Sequence, residues 1–261
     1  MGYTFISGAT GGIGKAFCHA VAKRGDNLFI TGRSEEKLSA LKKELQVLYG
    51  VKIEYFACDL TDEVSRKKML DEIDGKNIKF SRIINVAGVD TQKAFEKYTQ
   101  EKAVFQARVN LEAPVSLCLF ALEHRAEGLE IINVSSISGS CPMPYFNLYS
   151  ATKSALTYFS LSLREEVKKK GVKVTAVTPG GIPTRDDIKE QIKGQGLWGK
   201  LTAKSPEFVV KKAIKGVKKN KPIVIPGFFN KVMNVLTKIL PRSLKLKFIA
   251  HRWSKIEKDA F

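Results

Sequence analysis

Short apolar runs alternate with amphipathic stretches along the first three-quarters of the chain, and this alternation limits the fold more than any other feature. Runs of strand character fall at 3–7, 27–31, 52–57, 82–86, 129–135, 172–178 and 222–225. Helical patterns at 12–24, 35–48, 62–71, 100–123, 148–170 and 206–219 separate them. Phe5-Ile6, Ile83-Ile84 and Ile131-Ile132 are apolar on successive residues, as strands covered on both faces require. Strands joined by helices predict a parallel sheet with right-handed crossovers. No Pro/Gly/Ser-rich linker interrupts the pattern. The expectation is one doubly wound α/β domain over 1–226, with a single sheet of about seven strands and helices on both faces. A helical extension follows over 227–261.

Punctuation residues agree with this division. Thr61 and Thr99 are placed to cap the helices that follow them, and Ser205-Pro206 sets a capping hydroxyl before a proline at the first helical position. Gly171 ends a helix whose last turn is Lys168-Lys169-Lys170, cations where the helix dipole favours them.

Charge is distributed unevenly along the chain. The chain of 261 residues carries 44 Lys and Arg against 26 Asp and Glu, a net of +18. Residues 1–161 hold 20 basic and 18 acidic side chains, whereas residues 162–261 hold 24 and 8. The excess therefore belongs to the carboxyl end. No aromatic stacking platform or nucleic-acid module accompanies it, so nucleic-acid binding is not expected. No run approaches the ~18 apolar residues of a spanning helix. The first residues lack a basic region and a long apolar core, and Ile6 stands where a myristoylation signal needs Ser or Thr. Cys18, Cys58, Cys118 and Cys141 are far apart, as are His19, His124 and His251. That scatter predicts reduced thiols in the cytoplasm, with no disulfide framework and no metal.

Chemistry begins at the first strand's end. Gly8-Ala9-Thr10-Gly11-Gly12-Ile13-Gly14 leads from it into a helical pattern. Glycines there permit a tight turn and let backbone approach a pyrophosphate at a helix N-terminus. This predicts a Rossmann-type dinucleotide site. The second strand ends in Thr31-Gly32-Arg33-Ser34, with no acidic residue for a ribose 2′-hydroxyl. Arg33 is instead available to a 2′-phosphate, which favours NADP(H).

A second constellation follows the fifth strand. Asn133-Val134-Ser135-Ser136 precedes Tyr149-Ser150-Ala151-Thr152-Lys153. Positions i and i+4 share a helix face, so Tyr149 and Lys153 reach one small volume. Reducing a ketone by hydride transfer leaves an alkoxide that needs a proton. A phenol can donate it, and a neighbouring ammonium is expected to lower the phenol's pKa from about 10. The Ser136 hydroxyl can hold the substrate oxygen.

These motifs, in this order over residues 3–226, resemble the short-chain dehydrogenase/reductase family. The resemblance implies an oxidoreductase in which Tyr149 is the acid/base, Lys153 tunes it and binds ribose, and Ser136 holds the substrate oxygen. Asn110, in Val109-Asn110-Leu111, matches the residue that positions a water for proton relay. Gly8, Thr10, Gly12, Ile13 and Gly14 fall in the family's cofactor turn. Asp59 and Leu60 match its adenine contact. Asn85, Ala87 and Gly88 resemble its NNAG segment, with Val86 replacing the second Asn. Pro179, Gly180, Ile182 and Thr184 match the segment around the nicotinamide carboxamide and diphosphate. Family members pair through long helices, so a homodimer or homotetramer is implied, through 100–123 and 148–170.

On the substrate side, residues 182–204 lie where the family places a mobile loop. Leu197 and Trp198 fit either an apolar wall over a lipid-like substrate or packing on the domain surface. Ser138, Met143 and Tyr145 precede Tyr149 and are candidates to line the pocket. Beyond residue 228, apolar side chains recur at helical spacing with basic residues between them, before and after Pro241. Helices packed beside the pocket are the preferred reading of this tail, ahead of a basic segment resting on an anionic membrane. The expected substrate is a hydrophobic alcohol or ketone, first a hydroxysteroid such as a bile acid, then a 3-ketoacyl or other lipid ketone. A non-catalytic NADP sensor or peripheral membrane protein would not need the intact Tyr149 and Lys153.

Overall fold

A computed structural model describes residues 2–184, 186–194 and 196–254, with the backbone alone at 186, 187, 189, 191, 197 and 198. Seven parallel strands form one sheet in the order β3-β2-β1-β4-β5-β6-β7. They are β1 (Tyr3–Ser7), β2 (Leu28–Gly32), β3 (Ile53–Ala57), β4 (Phe80–Asn85), β5 (Arg125–Val134), β6 (Lys173–Val177) and β7 (Ile223–Val224). The strand order reverses between β1 and β4, the point where open α/β sheets bind ligands at their carboxyl edge.

Helices cover both faces. They are α1 (Gly12–Ala22), α2 (Glu35–Tyr49), α3 (Glu63–Gly75), α4 (Gln100–Ala107), α5 (Ala113–Glu123), α6 (Asn147–Val167) and α9 (Pro206–Lys218). Two apolar cores result. One holds Ile6, Phe17, Leu28, Ile30, Leu38 and Val209. The other holds Phe5, Phe29, Met69, Phe80, Ile83 and Leu117. Consecutive residues of a strand enter opposite cores, which is why the runs are apolar without alternation.

Several expectations need revision. Asp62, not Thr61, caps α3 by accepting from the Val64 N–H at 3.1 Å. The Thr61 hydroxyl instead donates to Asp59 Oδ1 at 2.7 Å. Thr99 and Ser205 cap as expected, accepting from the Lys102 and Phe208 amides. The pattern at 100–123 is split by a π turn at Arg108–Glu112. The segment 182–204 is not a plain loop: it carries α7 (Asp186–Gly194) and α8 (Gly196–Thr202). The tail forms α10 (Phe228–Ile239) and α11 (Arg242–Trp253) beside the carboxyl edge of the sheet. None of the described helices is long and apolar enough to cross a membrane.

Candidate active site

Strand register builds the floor of the site. Ser7 pairs with Asn85, and Asn85 with Asn133, so one row of polar residues crosses the carboxyl edge. Ser7 Oγ accepts from the Val86 and Ala87 amides at 3.1 and 3.3 Å. Asn85 Nδ2 donates to Asn133 Oδ1 at 2.8 Å, and Asn133 Nδ2 to Ser160 Oγ at 2.9 Å. Just past β5, Ser135 Oγ donates to the Lys153 carbonyl at 2.6 Å. The row thereby ties α6, which carries Tyr149 and Lys153, to the strand ends.

Tyr149 and Lys153 lie one helical turn apart on α6. Lys153 is buried, donates from Nζ to the Val134 carbonyl at 3.0 Å, and sits 5.7 Å from the centre of the Tyr149 ring. The Ser136 hydroxyl hydrogen-bonds the Tyr149 oxygen and favours its ionised form. Burial outweighs this and, with the Asp90 carboxylate, pushes the phenol above its ordinary value. Burial likewise pushes the Lys153 ammonium down to about 8, against the pull of Asp90. The expectation that Lys153 lowers the phenol is therefore corrected for the chain by itself. Desolvation penalises both charged forms, and the ammonium is engaged by a carbonyl.

These shifts carry a signed prediction. Between about pH 8 and 10.5 an unfolded Lys153 keeps a proton that the folded site sheds, so its contribution to stability rises with pH across that window. Below pH 8 the fold bears the full cost of the buried charge. Lys153→Met is therefore most stabilised relative to wild type below pH 8, and the gap in Tm narrows as pH rises toward 10. Thermal unfolding at several pH values measures this, and a gap that does not vary with pH contradicts it.

Asn110 lies fully buried in the π turn, a device common at functional sites. Its Oδ1 accepts from the Val89 amide and its Nδ2 donates to the Val89 carbonyl, both at 2.9 Å. The Asn110 side chain thus clamps the loop after β4, beside Lys153.

The cofactor residues form a second cluster around the turn after β1. Gly8 adopts φ +64°, and a Cβ there would meet Ala87 backbone at 2.9 Å. A Cβ on Gly14 would meet Gly8 O at 2.0 Å, and one on Gly12 the Thr184 side chain at 2.6 Å. Thr10 packs over Gly32 at the end of β2. Among the described residues no side chain caps α1 at Gly11, so the first amides of that helix face outward from a glycine cradle. This arrangement fits a dinucleotide diphosphate. Arg33 is exposed, 6.0 Å from the Phe105 ring centre, with no acidic partner among the described residues. Asp59 accepts from the Thr61 amide at 2.9 Å, and the Leu60 carbonyl accepts from Arg66 at 2.6 Å. Among the described residues, Asn85 Oδ1 is buried without a partner.

A cavity of about 840 Å³ joins the two clusters. Ile13, Gly88, Pro179, Gly180, Ile182 and Thr184 line its cofactor side, and Ser136, Ser138, Met143 and Tyr149 its floor. Tyr145 does not line it, contrary to expectation. With φ +62° it stands in a left-handed turn, and the next residue, Phe146, takes the wall instead. Phe146 stacks on Tyr149 with ring centres 4.4 Å apart, and on Trp253 of α11 at 6.1 Å. The side chains of Leu197 and Trp198 lie outside the described residues. Met233, Leu236, Leu240 and Ile249 bring α10 and α11 into the wall, the arrangement preferred for the tail. Asp90 was not foreseen: it lines the cavity and acts on both Tyr149 and Lys153, yet its only sequence signal was a carboxylate two residues past Gly88.

Comparison with known proteins agrees with this geometry. The very-long-chain 3-oxoacyl-CoA reductase of Bos taurus is 31% identical over 224 residues, covering 82% of this chain and 68% of the relative. The 17β-hydroxysteroid dehydrogenase type 3 of Danio rerio is 29% identical over 190 residues, covering 70% and 61%. A solved 7β-hydroxysteroid dehydrogenase superposes with a TM-score of 0.84 at 26% identity, covering 95% and 96%. The family profile described as short chain dehydrogenase matches residues 3–193. The chain belongs to that family and is an oxidoreductase acting on CH–OH and ketone groups with a nicotinamide cofactor.

Proposed function

We propose that the chain is an NADP(H)-dependent reductase of a 3-oxoacyl thioester or closely related lipid ketone. The observation that carries this reading is the placement of Ser136, Tyr149 and Lys153 on the floor of a cavity whose outer wall is apolar. When bound, the nicotinamide supplies or accepts the hydride at the carbinol carbon. The chain's own groups do the rest. Tyr149 Oη, neutral because burial and Asp90 hold it so, gives its proton to the carbonyl oxygen during reduction and takes one back during oxidation. Ser136 Oγ holds that same oxygen and the charge that develops on it. Lys153, fixed by Val134, lies 5.7 Å from the centre of the Tyr149 ring and would hold the cofactor ribose, and Asn110 keeps the Val89 loop beside it. The Phe146, Met233 and Leu236 side chains exclude water from the reacting carbon.

The substrate class rests on the 31% identity to a 3-oxoacyl-CoA reductase. It displaces the hydroxysteroid preferred from the sequence. The steroid reading is kept as second because of the 7β-hydroxysteroid dehydrogenase likeness. A panel of 3-oxoacyl thioesters of increasing chain length and of oxosteroids, followed by NADPH absorbance, separates the two. Turnover is expected on long-chain oxoacyl thioesters. Turnover on steroids alone would reverse the order.

Preference for NADP(H) rests on Arg33. Arg33→Ala is expected to weaken NADPH binding about tenfold to a hundredfold, the size of a lost charge-assisted contact, and to leave NADH unchanged. Equal losses for both cofactors would remove the 2′-phosphate assignment. The same reading includes a cytoplasmic homodimer or homotetramer. Val104, Leu119 and Tyr158 on α4, α5 and α6 are exposed apolar groups that a second copy would cover.

A further inference from the structure

Exposed apolar surface concentrates on the two tail helices. Of the sixteen large apolar side chains exposed among the described residues, nine lie between Phe228 and Phe248. At 100° per residue, Phe228, Val232, Val235 and Ile239 fall on one stripe of α10, and Leu244 and Phe248 on one stripe of α11. The opposite side of α10 is occupied: Asn230 is buried and donates to the Thr202 and Pro226 carbonyls, and Asn234 meets Ser140. The helix is therefore held in place while its apolar stripe faces outward. Contiguous exposed apolar surface of this kind marks an interaction site.

Charge selects the partner. Residues 227–254 carry six Lys and Arg and no Asp or Glu. Lys231 and Lys238, one heptad apart, run along the edge of the apolar stripe. A second copy seated on this face would bring twelve cations together without an anion, since each copy brings six. An acidic surface with an apolar interior answers both features at once. The apolar band also continues into the site, because Leu236, Leu240, Leu244 and Phe248 are exposed and line the cavity mouth as well.

We propose that α10 and α11 dock the protein peripherally on an anionic lipid surface, with the cavity mouth against the bilayer. Each helix has twelve residues, suited to lying in the interface and too short to span it. An amphiphilic ketone could then pass from the lipid into the cavity without crossing water. The docking itself does not depend on which ketone is reduced.

The test is co-sedimentation of the full chain with vesicles of phosphatidylcholine alone and of phosphatidylcholine with phosphatidylglycerol. Binding is expected only to the anionic vesicles and weakens with salt. Val235→Glu combined with Ile239→Glu should abolish it. Lys231→Gln with Lys238→Gln should weaken partitioning about twenty-five-fold, at about fivefold per lysine. None of these four residues lines the cavity, so reduction of a water-soluble ketone should be unchanged in both variants. Failure to sediment with anionic vesicles overturns the proposal, as does equal sedimentation of wild type and both variants. A fall in solution mass of the Val235→Glu, Ile239→Glu variant by light scattering also overturns it, because the face would then be a contact between copies.

Discussion

Replacing Tyr149 by phenylalanine lowers kcat for ketone reduction about a thousand-fold, within the span that a positioned proton donor supplies. NADPH binding changes by less than about threefold, because the side chain's part in the reaction is the phenolic proton. Phenylalanine keeps the ring, so the stacking on Phe146 at 4.4 Å and the wall of the cavity survive. The variant should fold as wild type does, with a slightly lowered Tm, since the buried Ser136 hydroxyl loses its partner on Tyr149. What is lost is the proton. Burial and Asp90 hold the phenol above its ordinary value, so wild-type Tyr149 carries its proton at every pH below about 10 and is always ready as the acid in reduction. Single-turnover reduction with bound NADPH measures the step directly. Turnover within tenfold of wild type would mean that another group delivers the proton, and the assignment of Tyr149 would fall.

The same residues show what the sequence can and cannot disclose. Tyr149 and Lys153 were legible because i,i+4 spacing on a helix is rigid and needs no knowledge of the rest of the chain. The glycine turn was legible because its backbone must do what only glycine does. The sheet was legible because parallel strands are buried on both faces, and Ile83-Ile84 and Ile131-Ile132 record that burial directly. Other features rest on distant contacts. Asp90 acts on Tyr149 from a loop with no periodicity, and its place depends on Asn110 gripping Val89 from another helix. The π turn at Arg108–Glu112 holds no proline or glycine of its own; its one signal is Pro114 just past it, which has no N–H for the Asn110 carbonyl four residues back. Thr61 and Asp62 are both competent caps, and the choice was made by Asp59, which engages the Thr61 hydroxyl. Tyr145 and Phe146 are adjacent aromatics, and a single left-handed residue decided which one faces the cavity. Gly194 and Gly196 read as parts of a loop, yet they border the joint between two helices.

Alanine at the three glycines that follow Thr10 should have sharply graded effects, with Gly14→Ala the most severe. At Gly14 the added Cβ would stand 2.0 Å from Gly8 O, 2.8 Å from Gly8 C and 2.9 Å from Ala9 Cα. All three atoms are backbone and none can swing aside. Gly8 cannot retreat, because its own Cβ direction meets the Ala87 backbone at 2.9 Å. Ala9 is fully buried and held by its amide to the Thr31 carbonyl. The turn must therefore open, which displaces the first amides of α1. Stability should fall by about 3 kcal/mol, as for a severely overpacked core, and NADPH affinity by about a hundredfold or more as the diphosphate contacts are lost. Gly12→Ala meets the Thr184 side chain at 2.6 Å, a group that can rotate but whose Cα stands only 3.4 Å away. Its effect should be intermediate and felt mainly in cofactor binding, because Thr184 borders the same cradle. Gly11→Ala should bind NADPH within about threefold of wild type. Its backbone is extended at φ −79° and ψ 163°, open to any residue, and its Cβ would approach only Gly8 O at 3.4 Å. Fluorescence titration with NADPH and thermal unfolding of the three variants test the order. A Gly14→Ala protein that binds as tightly as Gly11→Ala would show that the cradle does not hold the diphosphate, because packing at Gly14 and binding at α1 are, in this geometry, the same constraint.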